Sequence, residues 1–151
     1  MKHRIAAGAL VEQEGKILLV RHHRPAVFDF WVAPGGGAEG SEDLCATVRR
    51  EVREECGLEV EPQTLAYIEE FTSPHTRECK LWFTARLVGG AIDTAAIEAS
   101  REGIVEAAFL APSEFAGKIV FPPVLHNAYW TDKTTGFAFP KYLGVRELQF
   151  Y

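Results

Sequence analysis

The chain has no apolar run of about eighteen residues, which excludes a membrane-spanning helix. Its start, Met1-Lys2-His3-Arg4-Ile5, alternates like a strand and lacks the apolar core of a secretory signal. There are only three cysteines, Cys45, Cys56 and Cys79. Their number is odd and their spacing fits no metal-ligand pattern, so they read as reduced thiols of a cytoplasmic protein. An excess of positive charge is also missing: 16 Lys and Arg stand against 21 Asp and Glu, for a net charge of −5. That balance argues against general affinity for a nucleic-acid backbone and offers no basic path for RNA. Repeats, low-complexity runs and linkers are absent. What remains is 151 residues with 47% hydrophobic content, enough for one domain over residues 1–151 with a sizeable core.

Ile5 to Glu12 and Lys16 to Val20 are apolar runs joined by Gln13-Glu14-Gly15, which reads as a hairpin. Phe28 to Val32 is a short aromatic strand, stopped by Pro34 and followed by Gly35-Gly36-Gly37. Ser41 is placed as the N-cap of a helix, with Glu42 and Asp43 in its positive first turn. Cys45, Val48, Val52 and Cys56 step by three or four and form its buried face, and Gly57 is its stop. Thr64 to Thr72 and Cys79 to Val88 have strand character, split by Ser73-Pro74-His75-Thr76. Ala91 to Gly103 reads as a polar, alanine-rich connection and Val105 to Leu110 as a strand. Pro112-Ser113-Glu114-Phe115 begins a helical turn, and Pro123 to Trp130 is a second helix. The aromatic tail, Thr131 to Tyr151, packs on the body as a dimer interface or a lid.

On the first helix, Glu51, Glu54 and Glu55 share one face, because residues three and four apart are surface neighbours. Like charges repel there, and the nearest cations, Arg50 and Arg53, fall to the sides. Clustered hard oxygen ligands short of positive charge suit Mg²⁺.

Gly36, Glu42, Arg50, Glu51, Val52, Glu54, Glu55, Gly57 and Leu58 match the signature of the Nudix hydrolase family at every specified position. Seven Gly, Glu or Arg in register have a chance probability on the order of one in a hundred million per window. The chain resembles that family, which implies an α/β fold, an α/β/α sandwich with the signature helix on a mixed β-sheet. The resemblance also implies hydrolysis of a diphosphate linking a nucleoside to another group, with Mg²⁺ as cofactor (Mn²⁺ a substitute). Glu54 and Glu55 are then metal ligands, Glu51 a ligand or base, and the Gly36 carbonyl a further ligand. Glu42 and Arg50 resemble the family's structural ion pair.

Family members often use one more glutamate beyond this segment. Glu98, Glu102 and Glu106 are the candidates, and Glu102, beside Gly103, is favoured because it could swing over the site. Pro74 stands sixteen residues after Leu58 and is similar to the ADP-ribose pyrophosphatase pattern. Gly35, where that subgroup has alanine, looks more like nucleoside-triphosphate members. ADP-ribose therefore ranks first by a narrow margin, yielding AMP and ribose 5-phosphate. A nucleoside triphosphate pyrophosphatase, with oxidised nucleotides among its candidate substrates, is the alternative, and a non-catalytic nucleotide sensor is another. Arg21 and Arg24, in Arg21-His22-His23-Arg24, are candidate phosphate or ribose contacts. The two adjacent histidines point to opposite faces, which argues against a His-pair metal site. Phe28, Phe30 and Trp31 include a candidate base-stacking ring or are packing. His75 and Arg77 lie on the loop with Pro74.

Overall fold

A computed structural model of the protein describes residues 1–148. Two sheets and the helices on their faces follow from the apolar pattern of the N-terminal strands. β1 (Lys2–Leu10) and β3 (Lys16–Arg24) carry unbroken apolar runs, the mark of strands covered on both faces. Alternate residues go to opposite sides. Ala7, Ala9, Val11, Leu18 and Val20 pack with Val48, Val52 and Cys56 of α1 (Leu44–Cys56). Leu10, Ile17 and Leu19 pack on the other side with Tyr67, Trp82, Leu125 and Tyr129. The layers are thus helix, sheet and helix, as the α/β expectation requires.

One sheet has the order β10-β6-β7-β1-β5, with β5 (Gly35–Gly37), β6 (Leu58–Thr72), β7 (Thr76–Gly90) and β10 (Lys141–Glu147). It is mixed: β1 runs parallel to β7 and antiparallel to β5, and β10 runs parallel to β6. The other sheet joins β2 (Glu12–Gln13), β3, β4 (Phe28–Val32) and β9 (Val120–Phe121), with β8 (Ile104–Leu110) on the far edge of β3.

The expected hairpin shrinks to two residue pairs, Glu12 with Ile17 and Gln13 with Lys16. β1 instead crosses to the other sheet, and its small residues explain why. A Cβ on Gly8 would lie 2.3 Å from Trp82 Cζ3, so only glycine lets the strand pass beneath that ring.

Helix α1 begins two residues later than Ser41 implied. Asp43 is the N-cap and accepts from the Ala46 amide at 2.7 Å. Glu42 is diverted, folding back to accept from the Glu39 amide at 2.9 Å. Val48, Val52 and Cys56 are fully buried, each valine worth roughly 1.5–3 kcal/mol. Cys45 is only half-buried. Gly57 ends the helix at φ 76°, and its amide bonds the Arg53 carbonyl.

The connection after β7 contains a short helix, α2 (Ile97–Glu102), capped by Gly103 at φ 77°. The helix expected over Pro123 to Trp130 is broken into a 3₁₀ turn (Pro123–His126) and α3 (Ala128–Asp132). Asn127, at φ −149° and ψ −79°, separates them and caps the second through its side chain. The tail forms β10, anchored by Lys141 on Asp132 and by the Tyr142 hydroxyl on Glu70 at 2.6 Å. Residues 149–151 of that tail lie outside the described residues. Among the described residues the three cysteines are free thiols, and no helix is long and apolar enough to cross a membrane.

Candidate active site

The glycine strand β5 and helix α1 face each other across the edge of the first sheet. A Cβ on Gly36 would come within 2.5 Å of Glu51 Oε1, so the absence of a side chain there admits the carboxylate. The Gly35 amide donates to Glu55 Oε1 at 3.2 Å. Glu51 and Glu55 are 5% and 2% exposed. Oε2 of each is buried with no hydrogen-bond partner, and such orphaned acceptors are costly unless something positive meets them. Two orphaned carboxylate oxygens beside a third carboxylate, Glu54, are a donor set that fits a hard divalent cation.

Arg50 does not fall to the side, as the helix geometry implied. Its Nη1 lies 2.8 Å from Glu51 Oε1 and 3.2 Å from Glu54 Oε2. Nη2 lies 2.6 Å from Glu42 Oε1 and donates to the Gly37 carbonyl at 2.8 Å. One guanidinium therefore ties the glycine strand to the helix and partly neutralises the acidic face. It holds the Glu42 carboxyl down at about 2. Burial pushes Glu54 up, and Glu55 well above the usual carboxylate range, with Glu102 adding to the effect on Glu55. Arg53 turns away to Glu59 at 2.8 Å.

Of the three outer glutamates, the structure brings Glu102 to the cluster. It is the last residue of α2, held by the Gly103 cap rather than free to swing. Desolvation, and then the charge of Glu51, raise its carboxyl to about 7. Glu98 is exposed on α2, and Glu106 lies 3.6 Å from Arg21.

Glu102 and the glycine strand, at Gly35 and Gly36, line a cleft of about 680 Å³. Arg4, Arg24, Lys80 and Arg101 bring positive charge to it, while Phe28, Phe30, Phe71 and Phe121 bring rings. Arg24 stacks over Phe28. Arg21 does not join: it pairs with Asp29 at 2.8 Å on an outer surface. Pro74 is exposed in the turn and does not line the cleft, although Ser73 and Thr76 do. His75 is exposed, and Arg77 is engaged by Glu70 at 2.8 Å. Trp31 and Trp82 are core residues.

Three contributors escaped the sequence reading, and a fourth, His22, entered it only within its basic cluster. Lys80 is buried with its ammonium 4.4 Å from the centre of the Trp82 ring, and its charge reaches both Glu55 and Glu102. The signal was available: Lys80 shares the inward phase of β7 with Trp82. Arg4 is placed by the β1–β7 register opposite Glu78, to which it bonds at 2.7 Å. Arg146 of β10 sits between Phe71 and Phe121, 4.4 and 4.5 Å from their ring centres. His22 enters through a register shift between Arg21 and His22 where β3 meets β8. Its ring stacks on Phe30, and burial pushes it down to about 4, so it is neutral at ordinary pH.

A family model described as the NUDIX domain matches residues 2–128. The chain is 30% identical over 90 residues to the 8-oxo-dGDP phosphatase of Homo sapiens, covering 60% of this chain and 27% of that protein. It is 37% identical over 81 residues to the CTP pyrophosphohydrolase of Escherichia coli (strain K12), covering 52% and 54%. The chain thus spans about a quarter to a half of the length of these relatives. In structure it resembles a NUDIX hydrolase from Nitrosomonas europaea, with a TM-score of 0.74, 26% identity, and 92% and 93% of the two chains covered. The match of domain, signature segment and fold places this chain in the Nudix hydrolase family.

Proposed function

We propose that the protein is a divalent-metal-dependent pyrophosphohydrolase acting on a nucleoside di- or triphosphate. The observation that carries this reading is the pair of orphaned oxygens, Glu51 Oε2 and Glu55 Oε2, buried where an aromatic and basic cleft meets the glycine strand. Glu51, Glu54, Glu55 and the Gly36 carbonyl would hold the metal. Bound Mg²⁺ or Mn²⁺ would supply neutralisation of phosphoryl charge and acidification of the attacking water.

The chain's own groups divide the remaining work. Arg4, Arg24, Lys80 and Arg101 draw the polyphosphate to the carboxylate end of the cleft. Phe71, Phe121 and Arg146, in the same cleft, offer flat surfaces for a base. Glu102 serves the attacking water, as acceptor of its proton or as a further metal ligand. Arg50 and Glu42 hold the glycine strand and the helix at a fixed separation. Water attack on a diphosphate then gives a nucleoside monophosphate and phosphate, and on a triphosphate a monophosphate and pyrophosphate.

Relatives named for 8-oxo-dGDP and CTP support nucleoside polyphosphates as the substrate class. ADP-ribose, first in the sequence reading, now ranks second: Pro74, on which it rested, lies outside the cleft lining, and only its neighbours reach it. The test is product analysis with Mg²⁺ on dGDP, 8-oxo-dGDP, CTP, dGTP and ADP-ribose. Monophosphate from the di- or triphosphates supports the proposal. Selective AMP and ribose 5-phosphate from ADP-ribose would reverse the ranking, and tight binding without any product would favour the sensor reading.

A further inference from the structure

Strand β3 carries a side chain into the carboxylate cluster that no position of the signature segment accounts for. A ring nitrogen of His22, one carboxylate oxygen of Glu55 and one of Glu102 lie within 4.8 Å of one another. His22 Nδ1 is 3.1 Å from the backbone carbonyl oxygen of Glu102. A carbonyl only accepts, so Nδ1 carries the proton and Nε2 keeps its lone pair. Histidines that ligate metals are commonly oriented by this kind of second hydrogen bond. The ring is fixed further by its stack on Phe30, with centroids 4.9 Å apart and planes within 6°. Glu55, a member of this group, is 2% exposed, and its Oε2 has no hydrogen-bond partner.

We propose that His22, Glu55 and Glu102 form a nitrogen-containing divalent-cation seat beside the signature carboxylates, one that takes Mn²⁺, Co²⁺ or Zn²⁺ in preference to Mg²⁺. An all-oxygen set suits Mg²⁺, whereas an imidazole ligand favours the borderline transition ions. The seat rests on the reading of the signature carboxylates as cation ligands, because Glu55 belongs to both. It assigns Glu102 the role of ligand and makes His22 the residue that sets metal preference.

The test adds Mn²⁺ to metal-free protein and records electron paramagnetic resonance, with spin-echo modulation to detect directly bound ¹⁴N. The proposal expects bound Mn²⁺ with nitrogen modulation that His22→Gln abolishes, together with a smaller preference for Mn²⁺ over Mg²⁺ in that variant. Bound Mn²⁺ without nitrogen modulation would overturn the seat and leave the function reading standing. Failure to bind Mn²⁺ at all would overturn both. Modulation that survives in His22→Gln would assign the nitrogen elsewhere and overturn the seat. Should that variant not fold, ¹⁵N-histidine labelling of the unsubstituted protein replaces it: an unchanged pattern refutes an imidazole ligand.

Discussion

Replacing Arg50 by methionine removes a cation that bonds both the glycine strand and the acidic face. The side chain is 18% exposed, and the side chains of its partners Glu42 and Glu51 are 17% and 7% exposed, so the site is largely shielded from solvent. Methionine fills much of the volume but leaves three carboxylates facing one another and the Gly37 carbonyl without its donor. Breaking a buried pair by removing one partner costs about 3–5 kcal/mol. Partial exposure puts this case near the lower end, ~3 kcal/mol. At roughly 2–4 °C per kcal/mol for a chain of this size, metal-free Arg50→Met should melt some 6–12 °C lower. Arg50→Lys restores the charge but cannot fork to four acceptors, so it should recover less than half of the loss. Thermal melts in EDTA at low ionic strength are the assay. A methionine variant within about 2 °C of the unsubstituted protein would refute the claim that this guanidinium holds strand and helix together.

Further predictions concern titration, packing and base binding. Glu54, Glu55 and Glu102 are raised in the metal-free fold, Glu102 to about 7, so their contribution is present at low pH and lost as pH climbs through those values. His22, lowered to about 4, acts oppositely but fades within about a unit above 6.5, so melts in EDTA from pH 6.5 to 8.5 report mainly the carboxylates and should decline. A flat or rising profile there would contradict the burial of these groups. Gly8→Ala should cost about 1–3 kcal/mol in denaturant melts, because its Cβ would sit 2.3 Å from Trp82, and a neutral result would mean that the ring has room. Arg146→Ala should raise KM about fivefold with little change in kcat, consistent with loss of one cation–π partner for a base. An unchanged KM would move the base elsewhere in the cleft.

The signature helix was legible because its chemistry is local: positions 51, 54 and 55 fall on one face whatever the rest of the chain does. Gly57 was legible for the same reason, as only a left-handed stop follows there. Arg50 was misplaced because helical geometry fixes where a side chain starts and not how far a guanidinium reaches back toward the glycine strand. Lys80 carried a local signal, its inward phase on β7 with Trp82, but Arg4, His22 and Arg146 come from β1, β3 and β10, which meet their neighbours through pairings that no local pattern encodes. β10 is the clearest case, since it earns its strand only by lying parallel on the edge of β6, outside the span that the family model matches. Helix α2 was missed because six residues without a side-chain N-cap give little periodicity to read, and yet it delivers Glu102. The hairpin was misjudged because alternation specifies faces and leaves the partner strand open.

The most direct test of the account is the melting temperature of the protein and of Glu55→Gln as Mg²⁺ and Mn²⁺ are raised from zero to the millimolar range. A cation seated on the orphaned oxygens stabilises the fold by linkage, about 1.4 kcal/mol at tenfold over Kd. The unsubstituted protein should therefore gain roughly 3–6 °C, and Glu55→Gln should gain little. Melting temperatures indifferent to both ions, or a rise equally large in the variant, would contradict the claim that these carboxylates are a metal seat.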